Sequence, residues 1–229
     1  MQFNDISTYP QTGWGQALCL YVKPEWQVVN YARNGRSTKS FIDEGRLARI
    51  DAEISPGDIL IIQFGHNDMK ASGEGVGPYL SYKDNLKKFI AAARSKGATP
   101  VLITSMHRRN FDENGKVVNT FGDHIDAVRL TAKEEGVALI DLNAMSAVLY
   151  EAWGKEGSAK GFQDGTHHNN YGSYELAKCI IEGIIAAGLG LAEFIADDYE
   201  RFDPAHPDDP DTFYMPPSPR FSTEKPLGD

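Results

Sequence analysis

Four short apolar runs, separated by stretches with helical spacing, restrict this chain to an alternating α/β architecture. They are Gln27–Ala32 (QVVNYA), Asp58–Phe64 (DILIIQF), Pro100–Ser105 (PVLITS) and Val137–Leu142 (VALIDL). Three lack polar alternation and are rich in Val, Ile and Leu, the pattern of parallel strands covered on both faces. Between them, Leu47, Ile50 and Ile54 form an apolar stripe that stops at Ser55-Pro56-Gly57. Leu86, Phe89, Ile90 and Ala93 form another, closed by Gly97 as a C-cap, and a third helix spans about Asp123 to Glu135. A last helix from about Tyr171 to Ala187 carries Leu176, Ile180 and Ile184 on one face. Strands alternating with helices at this spacing predict a doubly wound parallel sheet with right-handed crossovers, in one domain.

Charge and hydropathy narrow the partners. A net charge of −9 leaves no basic stripe to displace counterions from phosphates, which argues against a nucleic-acid partner. No apolar run approaches the roughly 20 residues of a membrane span, so no membrane partner is expected. Cys19 and Cys179 each sit in an apolar helical pattern and are expected as buried free thiols. From about Ala196 the chain becomes acidic and proline-rich. Residues 191–229 are therefore read as an extended tail over a 1–190 domain, anchored by Phe202, Phe213, Tyr214 and Phe221. The start has no basic segment followed by an apolar run, so a cytoplasmic location is expected, unless the start is truncated and a signal lost with it.

Chemistry in open α/β sheets gathers where strands end. Three loops stand out: Arg33-Asn34-Gly35-Arg36-Ser37, Gly65-His66-Asn67-Asp68 and Asp164-Gly165-Thr166-His167. In the last, a carboxylate three residues before a histidine can fold back onto Nδ1, fix the tautomer and stabilise the imidazolium of a general base. The same spacing also suits an Asp cap beside a surface histidine. His168 is adjacent, but the spacing favours His167. Gly35 offers a backbone N–H with no Cβ in the way, and Asn67 offers a side-chain amide. Together they can form an oxyanion hole; separately, a turn glycine and an Asx turn account for them.

The ordered set Gly35, Gly65-His66-Asn67-Asp68 and Asp164-x-x-His167 resembles the SGNH (GDSL-type) hydrolases. Gly13-Trp14-Gly15-Gln16, Asn34–Phe41 (NGRSTKSF) and Gln63–Asp68 (QFGHND) are similar to the rhamnogalacturonan acetylesterase branch, over residues 13 to about 187. The resemblance implies a flavodoxin-like three-layer α/β/α fold and cofactor-free, metal-free removal of acetyl groups from pectic carbohydrate esters. It implies His167 as base, Asp164 as its orienting partner, and Gly35 and Asn67 as oxyanion donors, with His66 structural. A metal site built from His66, Asp68, His167 and His168 lacks a dedicated ligand spacing. Nothing in the sequence indicates an oligomeric state.

One family element is not found. The nucleophile of such enzymes sits in a Gly-Asp-Ser-Thr motif ending the first, central strand, and the chain has no such motif. The expectation is that the sequence begins at an internal Met1 directly after that block. Ser7 is a competing nucleophile with no strand to hold it, and Ser37 reads as a loop hydroxyl bonding to backbone. Without a central strand, residues 27–32 and 58–64 would flank an open slot and expose unpaired backbone, leaving the chain marginal or insoluble when alone. The sequence thus allows two functions: a carbohydrate acetylesterase impaired by its absent nucleophile, or a non-catalytic carbohydrate-binding pseudoenzyme.

Overall fold

A computed structural model describes residues 10–188 and 190–212. Its centre is a parallel sheet of three strands, β1 (Ile59–Ile62), β2 (Thr99–Ile103) and β3 (Ala138–Ile140), in the order β1-β2-β3. Ile61 lies opposite Val101, and Val101 opposite Ala138, so one register runs across all three. Seven α-helices accompany the sheet among the described residues: α1 (Trp14–Ala17), α2 (Thr38–Asp43), α3 (Arg46–Glu53), α4 (Lys83–Ser95), α5 (His124–Glu135), α6 (Leu142–Gly157) and α7 (Asn170–Ala186).

The two-residue period of the strands makes three layers. Val101 and Ile103 of β2, with Ile140 of β3, face a core with Leu149, Tyr150, Leu176 and Ile180 of α6 and α7. Leu102 of β2 and Ile62 of β1 face the opposite core with Phe41, Ile50, Leu86, Phe89, Ile90 and Val128 of α2 to α5. Leu86, Phe89 and Ile90 are essentially fully buried. Each such side chain contributes about 1.5–3 kcal/mol of transfer free energy. The stripe on α4 ends as its sequence predicts: Gly97 takes φ +73° and lets the Ala98 amide donate to the Ala93 carbonyl at 3.0 Å.

Two expectations are corrected, and one helix is added. Gln27–Ala32 is not a strand: Val28 and Tyr31 pack against the two different cores, yet the run joins no ladder among the described residues. Its residues have strand character, but a strand needs a neighbour to accept its backbone groups. Cys179 is buried as expected, whereas Cys19 is exposed, because a 3₁₀ turn over Leu18–Tyr21 turns it outward with Sγ donating to the Gln16 carbonyl. Helix α6 was not expected; it starts where the Asp141 side chain accepts the Ala144 amide.

The edge of β1 away from β2 bears no strand among the described residues, and Ile59, Leu60 and Ile61 are only half-buried. Beyond α7, Ile195 forms a bridge with Val22, and residues 199–208 lie along α7. Phe202 packs on the α7 core beneath Lys178; Phe213, Tyr214 and Phe221 lie outside the described residues. Among the described residues, no helix is long and apolar enough to cross a membrane.

Candidate active site

The segment before α7 folds back on itself. Phe162 and His168 form an antiparallel bridge, and the Gln163 amide donates to the His167 carbonyl at 2.8 Å. This closure puts Asp164 and His167 at one tip. Asp164 Oδ1 accepts the Thr166 and His167 amides at 2.6 and 2.7 Å, while Oδ2 lies 2.7 Å from His167 Nδ1. One carboxylate thus caps its own loop and orients the imidazole; the helix itself is capped by Asn169. Partial burial opposes ionisation of Asp164, but the two amides and the imidazole outweigh it and hold its pKa down to about 2. With Nδ1–H donated to a carboxylate, Nε2 of the neutral ring carries the lone pair. Both side chains are about half exposed, and Nε2 has no hydrogen-bond partner among the described residues.

The next residue has a different fate. His168 points to the opposite side of the bridged segment, where its Nε2 meets the buried Tyr150 hydroxyl at 2.6 Å and its ring lies 4.1 Å from Phe162. Burial holds its pKa down to about 3, so it is a neutral core residue. The alternation along an extended segment decides which histidine reaches solvent.

The two other loops are fastened together. Gly35 sits in a turn at φ +76°, which any Cβ would strain, and nothing lies within 4 Å of where that Cβ would be. Asn67 Nδ2 donates to the Arg36 carbonyl at 3.4 Å, and its Oδ1 accepts from Lys70 Nζ at 2.9 Å. Buried Asp68 adds the firmer tie: its Oδ1 accepts the Thr38 amide at 2.8 Å and the Thr38 hydroxyl at 2.5 Å. Burial pushes the Asp68 pKa up against those bonds. Ser37 is the N-cap of α2, its Oγ accepting the Ser40 amide at 3.2 Å. Trp14 Nε1 donates to Gln63 Oε1 at 2.8 Å, and Gln63 Nε2 donates to the Thr104 carbonyl at 3.1 Å. The Trp14 and Gln63 motifs therefore brace the end of β1 rather than contribute chemistry.

His66 is half-buried with its ring edge-on to Phe121 at 4.7 Å. Desolvation, then the nearby charge of Arg108, hold its pKa down to about 3. Arg108 Nη2 lies 3.3 Å from the His66 carbonyl, which sets the 107–109 segment against the Asn67 loop. Arg109 links that segment to the Asp164–His167 tip, its amide donating to the Gly165 carbonyl at 3.0 Å. Sequence reasoning passed over Lys70, whose three-residue spacing from Asn67 is the only local signal, and Arg109, whose partner is remote. Ser7 lies outside the described residues. Among the described residues, no three His, Cys, Asp or Glu side chains gather as a metal ion would need.

The sequence matches the model of the GDSL-like Lipase/Acylhydrolase family over residues 4–173. It is 42% identical over 201 residues to rhamnogalacturonan acetylesterase RhgT of Bacillus subtilis (strain 168), covering 81% of this chain and 86% of that protein. It is 28% identical over 206 residues to the rhamnogalacturonan acetylesterase of Emericella nidulans, covering 80% and 82%. The crystal structure of protein YXIM from Bacillus subtilis superposes with a TM-score of 0.75 at 27% identity, covering 82% of this chain and 54%, about half, of the other. An acetylxylan esterase, Axe2 from Geobacillus stearothermophilus, shares the fold with a TM-score of 0.58 at 17% identity, covering 76% and 81%. The tip formed by Asp164 and His167, the fastened Gly35 and Asn67 loops, and a match through most of the chain lead to one assignment: this chain belongs to the GDSL-like lipase/acylhydrolase family.

Proposed function

We propose that this protein removes acetyl groups from carbohydrate esters, with rhamnogalacturonan-type pectic chains as its substrate. The observation that carries this reading is the Asp164–His167 couple, with an unoccupied Nε2, in a chain so similar to proteins named as rhamnogalacturonan acetylesterases. In this reading His167 Nε2 takes the proton from the attacking oxygen as it adds to the acetyl carbonyl. Asp164 remains ionised and stabilises the imidazolium. The Gly35 N–H and the Asn67 amide donate to the oxyanion that forms. The proton then passes to the departing sugar hydroxyl, and a second round with water as attacking group releases acetate.

The attacking oxygen is a serine hydroxyl in this scheme, as the family resemblance implies. Among the described residues no hydroxyl is bonded to His167 Nε2, which also favours a second reading, a protein that binds acetylated carbohydrate without turning it over. Acetate release from acetylated rhamnogalacturonan by the 229-residue protein, beside its H167A variant, separates them. Release that depends on His167 supports the esterase. Tight binding of the polysaccharide with no His167-dependent release supports the second reading and overturns the first.

A further inference from the structure

Arg108 stands out in a protein with 32 acidic and 23 basic residues. Arg36, Arg46, Arg94, Arg129 and Arg201 each lie against a carboxylate. Arg109 is satisfied by the C-terminal end of α6, donating to the Lys155 carbonyl at 2.7 Å and to Ser158 Oγ at 2.9 Å. The half-buried Arg108 guanidinium has no carboxylate partner among the described residues. Its Nη1 donates to Thr120 Oγ1 at 2.8 Å, its Nη2 reaches the His66 carbonyl at 3.3 Å, and both lie 3.3 Å from Met69 Sδ. The Phe121 ring lies beneath it, 4.8 Å from Cζ to centroid.

These contacts aim the group without neutralising it. A thioether is a weak acceptor, and Nε–H has no acceptor among the described residues. Partial burial lowers the Arg108 pKa, yet a guanidinium stays charged in protein surroundings. Lys70, bonded to Asn67 Oδ1, forms no ion pair among the described residues and adds a second positive charge on the loop that carries His66. Neutral His66 cannot offset either. A fixed, partly desolvated cation beside a reaction site is complementary to an anionic group on the substrate, and a guanidinium fork suits a planar carboxylate.

We propose that Arg108, assisted by Lys70, binds the carboxylate of a uronic-acid residue next to the acetylated sugar, and so selects acidic over neutral polysaccharides. This deepens the function proposed above and rests on it. Met69 would yield its weak contact to the carboxylate oxygens, while Thr120 and the His66 carbonyl keep the guanidinium plane in place.

The test is calorimetric binding of an unacetylated galacturonate hexasaccharide to the full 229-residue protein, with xylohexaose as the neutral comparison. The expected result is binding of the uronate at low ionic strength that weakens about tenfold or more in ~0.5 M salt, and weaker binding of xylohexaose. R108Q should weaken uronate binding about tenfold or more with no change for xylohexaose. R108K should retain part of the affinity, and R94Q, remote from the site, should match the parent. Thermal melts of each variant confirm that the comparison is between folded proteins. Equal affinity for the two sugars, absence of uronate binding, or unchanged affinity in R108Q overturns the proposal. Acetate release from 4-nitrophenyl acetate, which bears no carboxylate, is measured separately: its dependence on His167 tests the esterase reading whatever Arg108 does.

Discussion

His167 Nδ1 lies 2.7 Å from Asp164 Oδ2, while the other oxygen of the same carboxylate accepts the His167 backbone amide, also at 2.7 Å. The imidazole is therefore held at two points by one residue three positions away. D164N breaks this, since an amide cannot accept at both positions and favours the wrong tautomer. Acetate release is expected to fall about 10²-fold or more, with binding of substrate nearly unchanged. The pKa of about 2 also fixes a sign. A carboxylate depressed in the folded state adds stability above its unfolded value near about 3.9, lost as pH falls through about 2. With half its surface in water, that contribution is small. A pH–rate profile of the parent should show no transition from Asp164 above about pH 4.

The neighbouring histidine offers the converse test. Y150F removes the hydroxyl that satisfies His168 Nε2, 2.6 Å away in the buried core. An unsatisfied buried nitrogen costs about 1–3 kcal/mol, or a fall in Tm of roughly 2–12 °C for a chain of this size. H167A should leave Tm nearly unchanged and abolish His-dependent acetate release. Differential scanning calorimetry and an acetate assay on the two variants should therefore give opposite patterns. A large loss of stability in H167A would contradict the assignment of the two histidines.

The elements legible in the sequence are those whose determinants are local. Asp58–Phe64, Pro100–Ser105 and Val137–Leu142 each overlap an observed strand, because a run of branched apolar residues suits a sheet covered on both faces. Gln27–Ala32 is more polar, and a ladder needs a paired neighbour, of which composition carries no record. Helix α6 escapes reading because its exposed face carries Ala144, Val148 and Ala152, which erases the polar face a periodicity search needs. The site divides in the same way. Asp164 and His167 are three residues apart and visible at once. The Asp68–Thr38 tie and the Arg109–Gly165 bond join positions 30 and 56 residues apart, and only the fold brings them together.

Close packing around the Asp164–His167 tip gives a third prediction. Gly172, in the first turn of α7, lies so near the 158–161 turn that an added Cβ would fall 2.1 Å from the Gly161 carbonyl oxygen. That neighbour is backbone and cannot rotate away. G172A should therefore displace α7 from the turn or shift the 162–168 loop, at about 1–3 kcal/mol. Urea denaturation should show a lower midpoint with an unchanged slope. Acetate release should fall as well, since Asp164 and His167 depend on the same loop. G157A, at a glycine with open space around its Cβ, should affect both far less.

The last prediction concerns Glu175, fully buried on α7 opposite the 199–208 segment. Its Oε1 accepts from Lys178 Nζ at 3.1 Å and its Oε2 from the Asp208 amide at 3.1 Å; Lys178 also pairs with Asp208. Burial, with the Asp208 charge adding to it, outweighs Lys178 and raises the Glu175 pKa to about 7. A carboxyl group has an unfolded pKa of about 4.3, so between that value and about 7 the folded protein holds a proton that the unfolded chain releases. Linkage then makes stability fall as pH rises through this window, opposite to the contribution of Asp164. Melting temperature measured from pH 4.5 to 8 should carry this downward component. E175Q, which cannot ionise, should flatten it while lowering stability at every pH, because one amide oxygen cannot serve both Lys178 and the Asp208 amide. A pH dependence identical in the parent and in E175Q would show that Glu175 is already ionised throughout the window.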